Sequence, residues 1–152
     1  MLTIQIMSEL LFDKINGLIA KATFARDDTR MLTLRAIKAE LLKAKTAKNA
    51  KPLDKNTELQ IIQKMVKQRE ESAKMYDDAN RPELASNERA EIAILNEFLP
   101  KPVGIDEIEW VIGTCGIEPF KQNMGQIMKA VKEKYPTVDG KLAAQIVSSH
   151  LL

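Results

Sequence analysis

Cysteine, histidine and aromatic side chains are scarce in this chain, and each scarcity excludes something. A single cysteine, Cys115, rules out an internal disulfide and any zinc or iron–sulfur site built on several cysteines. That usage fits a reducing compartment. A single histidine, His150, leaves carboxylates as the main metal ligands, and their helical spacing is that of solvated faces. No apolar run approaches the ~20 residues of a membrane span, and MLTIQIM lacks both the basic start and the length of a signal peptide. A soluble cytoplasmic protein is expected, with no membrane contact. An excess of one charge is absent as well: 23 Lys and Arg stand against 21 Asp and Glu, a net of +2 that does not by itself announce a nucleic-acid binder.

What is present is a helix-forming vocabulary. Charged residues make up 29% of the chain, glycine and proline number only six each, and no strand alternation survives. The expected fold is all-α: an N-terminal helical hairpin or bundle over residues 1–100, then a small C-terminal three-helix bundle over 101–152. Leu10, Leu11, Phe12, Ile15, Leu18, Ile19 and Ala22 recur every three or four positions, which predicts a first helix from a Ser8 cap to about Phe24. Met31, Leu34, Ile37, Leu41 and Leu42 mark a second, capped by Asp27 or Asp28 and fading near Ala47. KNAKPLDKN reads as a turn between antiparallel helices. A third helix carries its stripe from Leu59 through Ile62, Met65, Val66, Arg69 and Ala73 to Tyr76. Pro82 opens a fourth, Pro100 and Pro102 end it, and the domain boundary falls at LPKPVG.

The last third has its own start signals. In GIDEIEW, Asp106 and Glu109 read as a capping pair and Ile105 with Trp110 as a hydrophobic staple. That helix should stop near GTCG. Asn123 with Gln126 reads as another cap pair, and Asp139 as the cap of a last helix that buries Leu142, Ile146, Val147 and Leu151. No solenoid repeat and no low-complexity tract is visible.

Chemistry is thinly represented. Cys115 sits in the turn TCGIE and His150 two residues from the C-terminus, so they read as a small turn or core residue and a solvent-facing histidine rather than as nucleophile and base. Neither a GxxxxGK[ST] loop nor a GxGxxG after a strand is present. Glu70 with Glu71, and Asp77 with Asp78, are adjacent in sequence and do not share a helix face. Met65, Met124 and Met128 follow helical spacing, as core filler does. No catalytic, cofactor-binding or metal-ligating residue is assigned, and no cofactor is expected.

Two features stand above this background. Residues 1–50 hold nine basic and five acidic side chains while the rest of the chain is balanced or acidic, and the excess lies in Arg35, Lys38, Lys43, Lys45 and Lys48, continued by Lys51. Lys64, Lys67 and Arg69 of the following helix would come near. This run is either a solvated helix face or the footprint of an RNA backbone. The second feature is NMGQIMKAVKEKYPTVDGKLAAQIV at 123–147, where Gly125 and Gly140 open two helices with Lys129 and Lys141 close behind. Helix starts expose unpaired N–H groups, so a phosphate reading stands beside a tight-packing one.

The segments AEIAILNEFLPKP at 90–102, NMGQIMKAVKEKY at 123–135 and VDGKLAAQIV at 138–147 resemble the GatB/YqeY family, and MLTLRAIKAELLKAK and KQREESAKMYDDANRPEL resemble its N-terminal half. The resemblance runs from about Met7 to Leu152; it implies that free-standing members begin at MSELL, so that residues 1–6 are expected to be either an added or a misassigned start. It implies an all-helical protein in two parts, similar to the tail of the B subunit of the tRNA-dependent amidotransferase, a carbon–nitrogen ligase with glutamine as amido donor. The tail is associated with holding tRNA, and the catalytic parts lie elsewhere. Carried over by motif, the candidate tRNA-binding positions are Asn123, Met124, Gly125, Gln126, Lys129, Asp139, Gly140 and Lys141, flanked by Met128 and Leu142. The family more often has an acidic residue at Asn123 and a tyrosine at Phe98. The implied partners are tRNA and amidotransferase or other translation-related subunits. The alternative is a helical adaptor using the face around Val66, Ala73 and Tyr76.

Overall fold

The apolar spacing along the chain sets where its helices lie. The computed structural model describes residues 9–152 as seven α-helices and one 3-10 turn, with no strand among the described residues, so the fold is all-α. Up to Leu99 the chain forms one compact unit and Pro100–Leu152 forms another. In the first unit α1 spans Leu11–Phe24, α2 Asp28–Thr46, α3 Lys55–Asp78 and α4 Pro82–Asn96. Asp27 caps α2 through the Arg30 N–H, Asp54 caps α3 through the Thr57 N–H, and Pro82 occupies the first turn of α4. Ser8, expected as the cap of α1, lies outside the described residues.

Two three-residue corners are built alike. Arg26 and Asn80 adopt φ of 56°, and the next residue's N–H returns to a carbonyl five positions back: Asp27 to Ala22 and Arg81 to Tyr76. These left-handed turns close the last carbonyls of α1 and α3 and fold each helix back on its successor. α1 therefore packs on α2, and α3 packs chiefly on α4. The turn expected at 48–56 does join α2 to α3, but those two helices meet only lightly. The shared core holds Ile15, Leu34, Ile37, Leu41, Ile62, Met65 and Leu95.

The start of α1 has no local cap. Its Leu11 and Phe12 N–H groups donate instead to the carboxylate of Glu58, at 2.9 and 2.8 Å, from the first turn of α3. Glu58 is only 3% exposed. A charge that deep is tolerated because it is hydrogen-bonded at the positive end of a helix. Arg30 reaches in the same way from α2 to Glu97 just after α4, with two bonds of 2.6 and 2.9 Å.

In the second unit α5 spans Ile105–Thr114, a 3-10 turn Lys121–Asn123, α6 Met124–Lys134 and α7 Gly140–His150. Ile108, Val111, Ile127, Val131, Ala143 and Val147 make the core; Ile146 is buried as expected, whereas Leu142 and Leu151 are only half-buried. Three local expectations fail. Gly104, not Asp106, stands at the cap of α5, and Glu107 folds back to accept the Gly104 N–H at 3.0 Å. A Cβ at position 104 would sit 2.9 Å from that carboxylate, so glycine leaves room for the returning side chain. Ile105 and Trp110 are 54% and 55% exposed and make no staple. Asn123 caps nothing: its amide donates to the Glu118 carbonyl at 2.9 Å, and the 3-10 turn runs straight into α6.

Candidate nucleic-acid interface

The basic run occupies the end of α2 and the loop to α3. At ~100° per residue Arg35, Lys38 and Lys45 share a sector of about 80°, while Lys43 falls on the far side of the helix. Lys43 there pairs with Glu40 at 2.9 Å. Arg35, Lys45, Lys48 and Lys51 are exposed and Lys38 is half-buried. From residue 41 to residue 53 the chain carries four lysines and no acid. Asp54, the next carboxylate, is committed to the start of α3, and the Thr57 N–H holds its carboxyl below the usual range. Lys45 lies 4.4 Å from the centroid of Phe12. Beside it opens a slot of about 380 Å³ lined by Leu10, Phe12, Pro52 and Leu53, with Lys45, Lys51 and Asp13 as its charged members.

Arg69 does not join this run. It pairs with Glu91 of α4 at 2.6 Å, because α3 turns that face toward α4. Lys64 and Lys67 are exposed on α3. The adaptor face also fails: Val66 and Ala73 are buried, Val66 within the shared core, and Tyr76 is half-buried.

The glycine-bearing helix starts do not make one site. Met124 Sδ lies 4.0 Å from Ser148 Oγ, so the start of α6 packs beside the end of α7. An 11-residue helix is about 15 Å long, which sets Gly140 at the opposite end from Gly125. Tight packing is not the reason for either glycine, since a Cβ at 125 or 140 would meet nothing within 4 Å. At Gly140 the anion seat is already taken: Asp139 accepts the N–H groups of Lys141 at 2.8 Å and Leu142 at 2.9 Å. At Gly125 the preceding 3-10 turn uses the Met124 N–H. Met124 and Met128 are half-buried against the core, while Gln126, Lys129 and Lys141 are exposed, Lys129 within 3.9 Å of Glu133.

Cys115 ends α5, half-buried, with Sγ 3.7 Å from the Ile112 carbonyl, and Gly116 follows at φ +71°. His150 is exposed, as expected, and is also held in place. Its Nε2 lies 3.3 Å from Glu109 and its Nδ1 2.9 Å from the Ile146 carbonyl, which ties the end of α7 to α5. Sequence reasoning missed Glu58, although its place four residues before Ile62 and seven before Met65 sets it on the buried stripe. The described residues contain no group of three or more His, Cys, Asp or Glu suited to a metal ion, and no helix long and apolar enough to cross a membrane.

A family profile described as Yqey-like protein matches residues 12–151. The chain is also 27% identical over 127 residues to a protein of Pyrenophora tritici-repentis (strain Pt-1C-BFP) named Altered inheritance of mitochondria protein 41, mitochondrial. That match spans 80% of this chain and 69% of the relative.

Proposed function

Since the chain belongs to the Yqey-like protein family, we propose that it is a non-catalytic, RNA-binding accessory module related to the glutamine-dependent tRNA amidotransferases. Residues 44–53 carry this reading: Lys45, Lys48 and Lys51 without an acid, at the end of α2 and in the loop beyond it, with Arg35 and Lys38 extending the charge along one flank and Lys43 drawn off to Glu40. Such a surface meets phosphates by charge and position rather than by reading bases. The weight moves from the glycine-bearing helix starts to the basic arm, because Asp139 already fills the seat at Gly140. Lys129 and Lys141 contribute at the periphery.

The polar atoms of Cys115 and His150 are engaged with separate partners, which favours a binding role over a chemical one. The carbon–nitrogen ligase activity belongs on this reading to the partner enzyme, and its subunits are the protein partners we propose. A lone half-buried thiol suits a reducing compartment, and we place the protein in the cytoplasm; the Pyrenophora relative is named as mitochondrial.

Titration with tRNA at two ionic strengths tests the reading. Replacing Lys45, Lys48 and Lys51 together by alanine should weaken binding and lower the slope of log K against log salt by about 2 to 3, whereas Lys129→Ala with Lys141→Ala should change it by less than about 1. No saturable binding at low salt, or a triple variant that binds like the parent, refutes it.

A further inference from the structure

Trp110 is the single tryptophan of the chain, and it stands 55% exposed on α5, outside the core of the second unit. Lys134, from the last turn of α6, holds its Nζ 5.3 Å from the centroid of the indole. The same lysine edges a cleft of about 390 Å³ lined by Pro100, Pro102, Val103, Tyr135 and Pro136, with Lys101 and Glu107 also on its wall. Trp110 and this cleft are therefore parts of one surface.

Its charges are asymmetrically used. Glu107 is tied to the Gly104 N–H, Glu109 to His150 and Glu133 to Lys129. Among the described residues no carboxylate pairs with Lys101 or Lys134, and Glu107, the one acid that lines the cleft, is the one tied to the Gly104 N–H. An anionic occupant is favoured.

We infer that this surface seats a single-stranded polynucleotide segment, with a base against Trp110 and the cleft and the adjoining phosphates on Lys134 and Lys101. Bases stack on aromatic side chains, and cations beside the ring carry the backbone. A peptide fits less well. The second unit has no strand edge for a peptide to extend, and one cleft of this size offers no row of pockets for the i, i+3, i+4 and i+7 anchors of a bound helix. The inference rests on the RNA-binding reading and adds that the RNA is single-stranded where it meets the second unit.

The fluorescence of Trp110 reports on the site in the unaltered protein. Titration with a short oligouridylate should quench it saturably, and with a blunt RNA duplex should not. Trp110→Ala should weaken oligouridylate binding about 5- to 100-fold, while Trp110→Phe, which keeps a ring, should stay within about threefold. Lys134→Ala, at an exposed position, provides a second variant and should weaken binding in the same direction. Circular dichroism checks that each variant is folded. Absence of quenching while binding through Lys45, Lys48 and Lys51 persists overturns this inference alone. Absence of all binding overturns the RNA reading with it. Quenching by an acidic Phe-containing peptide at lower concentration than by the oligonucleotide overturns it in favour of a protein segment.

Discussion

Replacing Glu58 by alanine removes the acceptor that closes the start of α1 from another helix. Two backbone donors, Leu11 and Phe12, lose their partner at 2.9 and 2.8 Å, inside a site where Glu58 is 3% exposed. A hydrogen bond to a charged group contributes ~1.5–3 kcal/mol, and loss of an N-cap acceptor alone costs about 1 kcal/mol. The two bonds share one carboxylate and Leu11 is only half-buried, so they do not add in full; about 3 kcal/mol is expected. Glu58→Gln keeps one oxygen acceptor and should lose roughly half of that. Urea denaturation followed by circular dichroism gives the size. Amide exchange at residues 11–15 gives the place, which matters because two units need not unfold together. The first unit should melt more than 10 °C lower in the alanine variant. A loss below about 0.5 kcal/mol, or unchanged protection of the α1 amides, refutes the idea that Glu58 holds this helix start.

Gly125→Ala should stabilise the second unit by about 0.5–1 kcal/mol, since a helical glycine gains from a methyl group that meets nothing; a lower melting temperature contradicts the open environment described for it. If Gly125 is also no phosphate seat, the same variant leaves tRNA affinity unchanged in the filter-binding assay. Arg30 and Glu97 give a pH dependence. The hydrogen bonds from Arg30 hold the Glu97 carboxyl below its usual range, and Glu97 raises the Arg30 guanidinium above its own. A depressed carboxyl contributes stability that is full above its ordinary, unfolded-state value and is lost as pH falls through its lower folded value. Both side chains are over a third exposed, so the contribution stays below about 1 kcal/mol and fades with salt. The acid midpoint of Glu97→Gln should therefore be less sensitive to salt than that of the parent.

Helix existence was legible because apolar residues repeat every three to four positions, and most boundaries followed from local chemistry. Asp27, Asp139 and Pro82 act where their types predict. The failures have a common cause. Asn123 found the Glu118 carbonyl and left the helix start uncapped, and Glu107 outcompeted Asp106 because Gly104 gave it space to return. These are competitions among neighbours within hydrogen-bond reach, which residue type alone does not decide.

The basic arm was readable as a charge run, whereas its usable members were only partly so. Helical spacing already sets Lys43 apart beside Glu40, but only packing holds Lys45 at Phe12, and only the pairing of α3 with α4 draws Arg69 away to Glu91. Likewise Gly125 and Gly140 are 15 positions apart in sequence, but the turn between α6 and α7 puts them at opposite ends of a helical pair. Sequence by itself determined the helices, the family motifs and the lysine-rich, acid-free segment, because period, cap chemistry and charge are local properties. Tertiary structure decided that Glu58 closes α1, that Arg69 turns to Glu91, and that Trp110 stands beside Lys134, because each depends on which distant backbone or side chain the fold brings within a few ångströms.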